Sequence, residues 1–336
     1  MRSAFAGGFF VLVVVPAGCV ARPRLDGPLP TRNQHPAQLT VLHMAPSAVT
    51  TLPAGAISGR VDAAYSNLFL NGGSGGGNTW RMDGEYLRVG TTLRVGLGGD
   101  CELAAELPVA HTSGGFLDDF IIGYHDFFGL PDQNRDQNPR DAYDITAQKD
   151  GNVAWSVDRE NLELLDVPMQ VTWQLVAPGD GRVGTAVRGG IELPTGNDDR
   201  GYGNGQLDAS LGVLLEYRAG GVGWYGHAQH TLAGTPRQSR AVGLHFADVT
   251  SLGLGAELPL AENLNVLVQV EWETSTLRHL GFPAVASEQL LLWIGGRWLV
   301  TEHWGIEVAF GEDLYGFVSP DFTAWLGCAW LPGAAP

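Results

Sequence analysis

The stretch that decides the fold runs from Leu87 to Leu97 and reads LRVGTTLRVGL. Its odd positions hold leucine, valine and one threonine, whereas its even positions hold glycine, threonine, Arg88 and Arg94. Successive side chains of a β-strand point to opposite faces, so this alternation predicts a strand with one apolar and one polar face. The alternation is longer than a typical globular strand and suits the about 9–11 residues of a strand that crosses a bilayer.

The same two-residue period recurs along most of the chain. It is clearest at 183–193, 207–217, 264–276 and 304–310. We therefore expect twelve strands, at approximately 56–70, 79–97, 100–111, 161–177, 182–195, 206–217, 222–233, 248–258, 263–277, 287–299, 303–312 and 321–331.

The lengths of the connections decide the architecture. Short turns at 98–99, 178–181, 218–221, 259–262 and 300–302 alternate with longer loops at 71–78, 112–160, 196–205, 234–247, 278–286 and 313–320. Outer-membrane barrels have this asymmetry, with tight periplasmic turns and longer extracellular loops, whereas a soluble sandwich has no reason to sort its loops. The sequence thus predicts an all-β fold, a transmembrane antiparallel up-and-down β-barrel of about 12 strands over residues 55–331, with one large extracellular loop and a tail at 332–336.

Composition agrees with a membrane barrel and excludes other classes. Charged residues are only 17% of the 336, and 36 acidic residues against 20 basic ones give a net charge of −16. A chain this acidic lacks the basic surface that nucleic acids require, so no nucleic-acid partner is expected, and we expect no cofactor. Tryptophans fall near strand ends, where membrane barrels carry aromatic girdles. They are Trp80, Trp224, Trp272, Trp298, Trp304 and Trp330.

An N-terminal targeting signal is expected. Arg2 precedes an apolar run that small residues follow, and cleavage after Ala21 removes residues 1–21 and leaves a Pro-rich periplasmic segment at 22–54. Cleavage before Cys19 is the alternative and would make Cys19 a lipidation site, because the sequence there resembles a lipobox in which Pro16 replaces the usual aliphatic residue. We expect a bacterial outer-membrane protein, surrounded by outer-membrane lipids and inserted by the barrel-assembly machinery.

The polar positions of the expected strands line the lumen. Ten acids against four arginines predict an acidic lumen, which would favour cations or neutral small solutes if the pore is open. A lumen closed by arginine–carboxylate pairs is the alternative, since twelve strands lie between small filled barrels and wide porins. The lumen-lining residues are Arg88, Arg94, Glu102, Glu106, Asp166, Arg188, Glu192, Asp208, Glu216, Glu257, Glu271, Glu273, Arg297 and Glu307.

The loop at 112–160 is too long for a passive connection. Its aromatic residues recur at helical spacing and must be buried somewhere, so we expect a folded lid that narrows or closes the barrel mouth. A polar hairpin from Ile145 to Val157, turning at Asp150-Gly151, follows. The acidic residues lack the spacing of a calcium loop, which favours a solvated acidic surface and no metal. The lid residues are Phe116, Asp118, Asp119, Phe120, His125, Asp126, Asp132 and Arg135.

Three motifs resemble a bacterial family of unknown function whose members are predicted to form outer-membrane barrels. They are the segment from Gly115 to Asp132 with Arg135, the pair Glu192–Asn197 and Gly201–Gly205, and Leu29–Pro36. Asn197 stands where the family more often has Asp. The Leu-Pro-Thr-Gly signature at 193–196 also resembles outer-membrane porins linked to the degradation of aromatic compounds. The resemblance implies location and fold, and it brings no known substrate.

Three functions remain open. The favoured one is a channel or transporter for small solutes, and the second is a structural or adhesive barrel that uses loop 112–160 as its contact surface. The third is an outer-membrane lipid hydrolase with His111 as base and Ser113 as nucleophile, two residues apart on the lipid-facing side. No orienting partner is evident for that pair, so we expect no enzyme. The oligomeric state is left open.

Overall fold

The computed structural model describes residues 24–74, 76–129 and 135–331, which form a closed β-barrel with an internal chain segment. The strands are β1 Ile57–Ser74, β2 Asn78–Gly98, β3 Cys101–Ser113, β4 Asp144–Lys149, β5 Asn152–Ser156, β6 Glu163–Leu164, β7 Val167–Val176, β8 Gly184–Leu193, β9 Asp208–Ala219, β10 Val222–Leu232, β11 Val249–Ala261, β12 Leu264–Glu273, β13 Gln289–Leu299, β14 Trp304–Tyr315 and β15 Phe322–Trp330. The helices are α1 Pro36–Leu39, α2 Asp118–Phe128, α3 Arg237–Ala241 and α4 Pro283–Ala286, with 3-10 turns at Arg135–Gln137, Asp198–Arg200 and Arg278–Leu280.

Twelve strands of the described chain make the barrel wall. Each pairs antiparallel with its neighbours in the order β1-β2-β3-β7-β8-β9-β10-β11-β12-β13-β14-β15. β15 pairs with β1 from Gly59 opposite Trp330 to Asn67 opposite Phe322, which closes the ring. The predicted all-β, twelve-stranded up-and-down barrel is thus confirmed, and the expected strand positions differ from the observed ones mainly at the strand ends.

The connections define two different ends. The turns at 99–100, 220–221 and 262–263 are two residues long, whereas the loops at the other end include 194–207, 233–248 and 274–288. We call these the short-turn end and the long-loop end; in an outer-membrane barrel they face the periplasm and the exterior. Within the described ranges, no helix is long and apolar enough to cross a membrane.

The wall has an apolar outer face and a polar inner face. Leu211 and Leu254 on the outer face are 75% and 74% exposed, whereas Asp208 and Glu257 on the inner face are fully buried. Five of the six tryptophans expected in girdles take outward positions, but Trp80 does not. Trp80 has the same parity as Arg88 on β2, so it points inward, where it is fully buried.

Residues 24–56 run through the barrel, with residues 53–55 exposed where the segment leaves it, and we call them the inner segment. The segment begins near the short-turn end, where Arg24 Nη1 donates to the Glu302 carbonyl at 2.7 Å. It reverses through α1 near the long-loop end and returns to β2, where Gly55 N donates to the Gly96 carbonyl at 2.8 Å. A Cβ on Gly96 would lie 2.0 Å from the Pro53 carbonyl oxygen, so glycine is required at this approach.

The inner segment corrects the expected periplasmic location of residues 22–54. The physical reason is that polar side chains of the barrel wall bind the backbone of this segment. No strand-like pattern in the segment itself reveals these partners. The expected signal peptide at 1–21, the lipidation candidate Cys19 and the tail at 332–336 lie outside the described residues.

The hairpin of β4 and β5 forms as the sequence predicts. Asp150 and Gly151 have φ angles of 52° and 77°, the left-handed conformation that a two-residue hairpin turn requires. β4 pairs with the part of β2 that extends past β3, from Thr79 opposite Gln148 to Asp83 opposite Asp144. The hairpin therefore raises one side of the wall above the long-loop end.

Candidate functional site in the barrel lumen

Acidic side chains of the barrel wall bind backbone amides of the inner segment. Gly27 N donates to Glu257 at 3.0 Å, Leu42 N to Asp208 at 3.0 Å, Val49 N to Glu216 at 2.9 Å and Leu52 N to Glu102 at 3.0 Å. An irregular segment inside a barrel has N–H groups without sheet partners, and a buried N–H must find an acceptor. Much of the excess of inward acids over inward arginines is thereby explained.

Two wall arginines bind the carbonyl groups of the same segment. Arg188 donates to the carbonyls of Ala45 and Met44 at 2.6 and 2.7 Å. Arg297 donates to the Gly27 carbonyl at 2.9 Å. The wall therefore supplies both charge-assisted acceptors and charge-assisted donors along the length of the inner segment.

Other inward arginines pair with inward acids. Arg94 Nε lies 2.7 Å from Glu102, and Arg88 pairs with Glu106. Inward acids outnumber inward arginines, and arginine–carboxylate pairs are also present. The inner segment fills the lumen and binds several of these acids through its backbone amides. The structure places all the expected lumen residues on β-strands facing inward, except for Asp166, which precedes β7.

Asp166 joins two loops at the long-loop end. Its carboxylate accepts hydrogen bonds from Gly196 N at 2.8 Å and from Asn204 N at 2.9 Å. Burial raises the pKa of Asp166 to about 6, against these two hydrogen bonds, which lower it. Asn204 also donates to the Thr40 carbonyl at 2.8 Å, so this loop contacts the inner segment just after α1.

An apolar cluster closes the long-loop end. The His35 ring of the inner segment stacks on Trp80 at 5.6 Å between centroids, and Trp80 stacks on Trp155 of β5 at 6.1 Å. Leu39 and Val41 of the inner segment belong to the same buried cluster. Loop residues complete it; they include Tyr202, Leu244, Phe246, Leu277, Leu280, Val285 and Val318.

A cavity of about 120 Å³ remains between the inner segment and β1, β2 and β3. Charged side chains of both signs line this cavity, including Arg60, Asp62, Arg88 and Arg94. Small-molecule sites usually enclose about 300–1,000 Å³. This cavity is therefore too small for an ordinary ligand while the inner segment stays in place.

His43, Glu271 and Glu273 are buried and lie close enough to one another to share a metal ion. His43 Nε2 lies 3.0 Å from Glu271 Oε1. Gln229 accepts from Met44 N at 3.2 Å through its amide oxygen, which leaves its amide nitrogen 3.2 Å from His43 Nδ1. Nδ1 is then the acceptor for this amide, so only Nε2 of His43 could ligate a metal ion shared with the two carboxylates.

The Phe-rich helix of loop 112–160 lies outside the barrel. Phe116 N and Leu117 N donate to Glu85 on the outer face of β2, at 2.9 and 2.5 Å. Phe116, Phe120 and Phe127 are 70%, 53% and 81% exposed. The expected aromatic lid is therefore wrong, and the part of this loop that closes the mouth is the β4–β5 hairpin, through Trp155.

The remaining lid residues follow the helix to the outer wall. Asp118 is buried against Arg135 at 2.8 Å, whereas Asp119 is exposed and lies 3.3 Å from Arg140. Asp126 is exposed. The side chain of His125 and the whole of Asp132 lie outside the described part of the chain.

A sequence signal for this placement exists on β2. The outward positions from Leu87 to Leu97 are apolar or threonine, but the next two outward positions are Asp83 and Glu85. Both side chains are buried, at 8% and 1% exposure. Buried acids on a lipid-facing parity indicate that another part of the chain covers them.

In the described structure, no side chain is placed to orient His111 as the base for Ser113. His111 Nδ1 lies 3.0 Å from the Asn161 carbonyl, which is a backbone group and supplies no orienting side chain. A nucleophile and base need a third group that positions the base.

Two of the sequence signatures thus make specific contacts, Asp118 with Arg135 in one and Asp166 with the 196–204 loop in the other. The match to the family model covers residues 9–330 and bears the description protein of unknown function (DUF3187). The chain belongs to the DUF3187 family. The resemblance stated from the motifs is therefore confirmed, and no curated protein sequence matches the chain.

Solved structures similar to this DUF3187 barrel are outer-membrane proteins. The COG4313 outer membrane channel from Pseudomonas putida F1 is 11% identical with a TM-score of 0.55, over 86% of this chain and 99% of that chain. The NanC porin is 8% identical with a TM-score of 0.48, over 82% and 100%. The P. putida toluene transporter TodX is 9% identical with a TM-score of 0.41, over 84% and 92%. At these identities the first likeness shows the fold, that of an outer-membrane barrel.

Proposed function

We propose that this barrel is an outer-membrane channel for small solutes that the inner segment holds closed. The observation that carries the proposal is the binding of inner-segment amides by wall carboxylates, among them Asp208 at Leu42 and Glu216 at Val49. Individual hydrogen bonds to charged groups contribute about 1.5–3 kcal/mol each, so the segment is held by many separate, replaceable contacts. A wall built only for rigidity would be filled more simply by side chains of the strands themselves.

Movement of the inner segment would open a polar path. The carboxylates that now bind its amides would line the lumen, and a ring of acids favours cations or neutral solutes over anions. In this proposal the protein reaches the outer membrane through its N-terminal signal and the barrel-assembly machinery. Loop 112–160 contributes the β4–β5 hairpin to the closed mouth.

Single-channel recording in planar bilayers tests the proposal. We expect the wild-type chain to be mostly silent and the variant Asp208→Asn with Glu216→Gln to conduct more often, because both changes weaken acceptors for the inner segment. Leu252→Ala, on the outer face and 47% exposed, is the matched control and should behave as wild type. Reversal potentials in a salt gradient should then show cation preference.

If the folded double variant conducts as rarely as wild type, the channel proposal is contradicted. That result would support the structural or adhesive barrel instead, because such a barrel has no conducting state. Heat-modifiable migration on gels establishes that the variant barrel is folded.

A further inference from the structure

Helix α2 lies flat on the outer wall of the barrel. Just before it, the Phe116 ring stacks on outward-facing Tyr65 of β1 at 5.7 Å between centroids. Phe120 meets the outward-facing Phe322 of β15 edge-on at 5.8 Å, and Phe322 in turn meets Phe310 of β14 at 5.0 Å. The helix therefore crosses the outer surface from β2 over β1 toward β15, next to side chains that face lipid further along the same strands.

A buried arginine fixes this position. Arg135 is 2% exposed and donates to Asn67 of β1 at 2.6 Å, to Asp118 of α2 at 2.8 Å and to Asp321 before β15 at 2.5 Å. Its guanidinium also lies 4.4 Å from the ring centroid of Phe69. A side chain with so many buried partners holds the helix against the wall in one orientation.

The helix has three different sides. At about 100° per residue, Ile121 and Asp118 point to the wall, and both are buried. Asp119 and Asp126 point to a second side and are exposed. Phe120 and Phe127 share the third side, about 20° apart on the helical wheel. A helix with one wall side, one acidic side and one aromatic side is suited to a boundary between water and an apolar phase.

The helix also lies at the height of such a boundary. Trp330 marks the short-turn end of β15, and Phe322 lies eight residues further along that strand. Eight residues span about 27 Å of strand, or roughly 20 Å of height at ordinary barrel tilt, close to the approximately 25 Å apolar band of outer-membrane barrels. Phe322, and α2 beside it, therefore lie near the outer edge of that band.

We propose that α2 is an interfacial helix that rests in the outer leaflet, with Phe116, Phe120 and Phe127 among the lipid chains and Asp119 and Asp126 in water. The occupant of the aromatic side is lipid, because that side continues the lipid-facing wall through Tyr65 and Phe322. The acidic side lies next to polar loop residues, as the contact of Asp119 with Arg140 shows. The loop thereby anchors the rim of the barrel in the membrane.

Site-directed fluorescence on the full chain tests this inference. Single cysteines at Phe127→Cys and, as matched control, Asp119→Cys are labelled with an environment-sensitive dye in a chain whose native cysteines are replaced by serine. The labelled barrels are reconstituted in phosphatidylcholine vesicles, with or without brominated phosphatidylcholine. We expect the dye at 127 to be blue-shifted, quenched by the brominated lipid and several-fold less accessible to iodide than the dye at 119.

The opposite pattern would overturn the inference. If the dye at 127 is as accessible to iodide as the dye at 119 and brominated lipid leaves it unquenched, the aromatic side faces water and is available to a protein partner. A second variant guards against local disruption by the label. We expect vesicles to protect the wild-type chain from protease cleavage near α2 better than detergent micelles do. Phe127→Ser should leave heat-modifiable folding intact but remove this protection.

Discussion

Arg297 on β13 and Glu257 on β11 meet at 2.6 Å inside the barrel, and both also bind the backbone of Gly27. The two side chains are 1% and 0% exposed. They reach each other across the intervening strand β12, so they join three wall strands and the inner segment at one point. The pair is therefore part of the attachment of the inner segment.

Removal of this arginine should be costly. Arg297→Met leaves Glu257 without its guanidinium partner and leaves Glu307 with Arg60 alone. Breaking a buried ion pair from one side costs about 3–5 kcal/mol. Unfolding by guanidinium chloride in detergent micelles measures the change in the free energy of unfolding. Arg81→Met is the matched control, because the Arg81–Asp144 pair is 66% and 41% exposed and should contribute under about 1 kcal/mol. Equal losses for the two variants would contradict the assigned burial.

The stacked ring pair at the mouth predicts a second difference. Trp155→Ala should lower the free energy of unfolding by about 3–5 kcal/mol, because Trp155 is fully buried between Trp80 and the rest of the apolar cluster. Trp224→Ala is the control, since Trp224 is 53% exposed on the outer face. The same substitution at the two sites should also differ in channel recordings, with more frequent conduction only for Trp155→Ala. Similar behaviour of both variants would contradict the idea that the apolar cluster closes the long-loop end.

Much of the wall could be predicted from the sequence because a barrel strand obeys one local rule. The alternation from Leu87 to Leu97 reports the two faces directly, and the register of β2 with β1 follows it without a shift. The expected lumen residues are inward for the same reason. Trp80 lies near a strand end as girdle residues do, but it has the inward parity of β2 and is buried.

The inner segment could not be predicted in this way. Its backbone partners Glu102, Asp208, Glu216 and Glu257 come from strands that are far apart in sequence. The sequence around each acid indicates only that its side chain faces the lumen. That all four bind the backbone of the inner segment explains why inward acids outnumber inward arginines. Helix α2 differs from the expected lid for another reason. The chain before it binds Glu85 on the outer face of β2, where Asp83 and Glu85 interrupt the apolar positions.

The outer face should reject charge most strongly at mid-membrane. Arginine at Val187 or Val268 should cost about 2–4 kcal/mol, because these side chains face lipid near the middle of their strands. Arginine at Leu260, 50% exposed near the short-turn end, is the control and should cost about 0–1 kcal/mol. Denaturant titrations of folding into phospholipid bilayers measure both free-energy costs. A cost that does not depend on depth would contradict the membrane placement of these strands.

Asp166 predicts a pH dependence with a definite sign. Burial raises its pKa from 3.8 to about 6, so between these values the folded protein binds more protons at this site than the unfolded chain does. The contribution of the site to stability is then fully present below pH 3.8, declines as the pH rises and is lost above about 6. A two-unit shift corresponds to at most about 3 kcal/mol.

Asp166→Asn keeps one acceptor but cannot titrate, so it serves as the matched reference for all other ionising groups. We expect the difference in unfolding free energy, wild type minus Asp166→Asn, to fall between pH 4 and pH 6 and to stay level above that range. A difference that instead rises with pH would mean that the hydrogen bonds from Gly196 and Asn204 outweigh burial, and that the carboxylate is charged throughout this range.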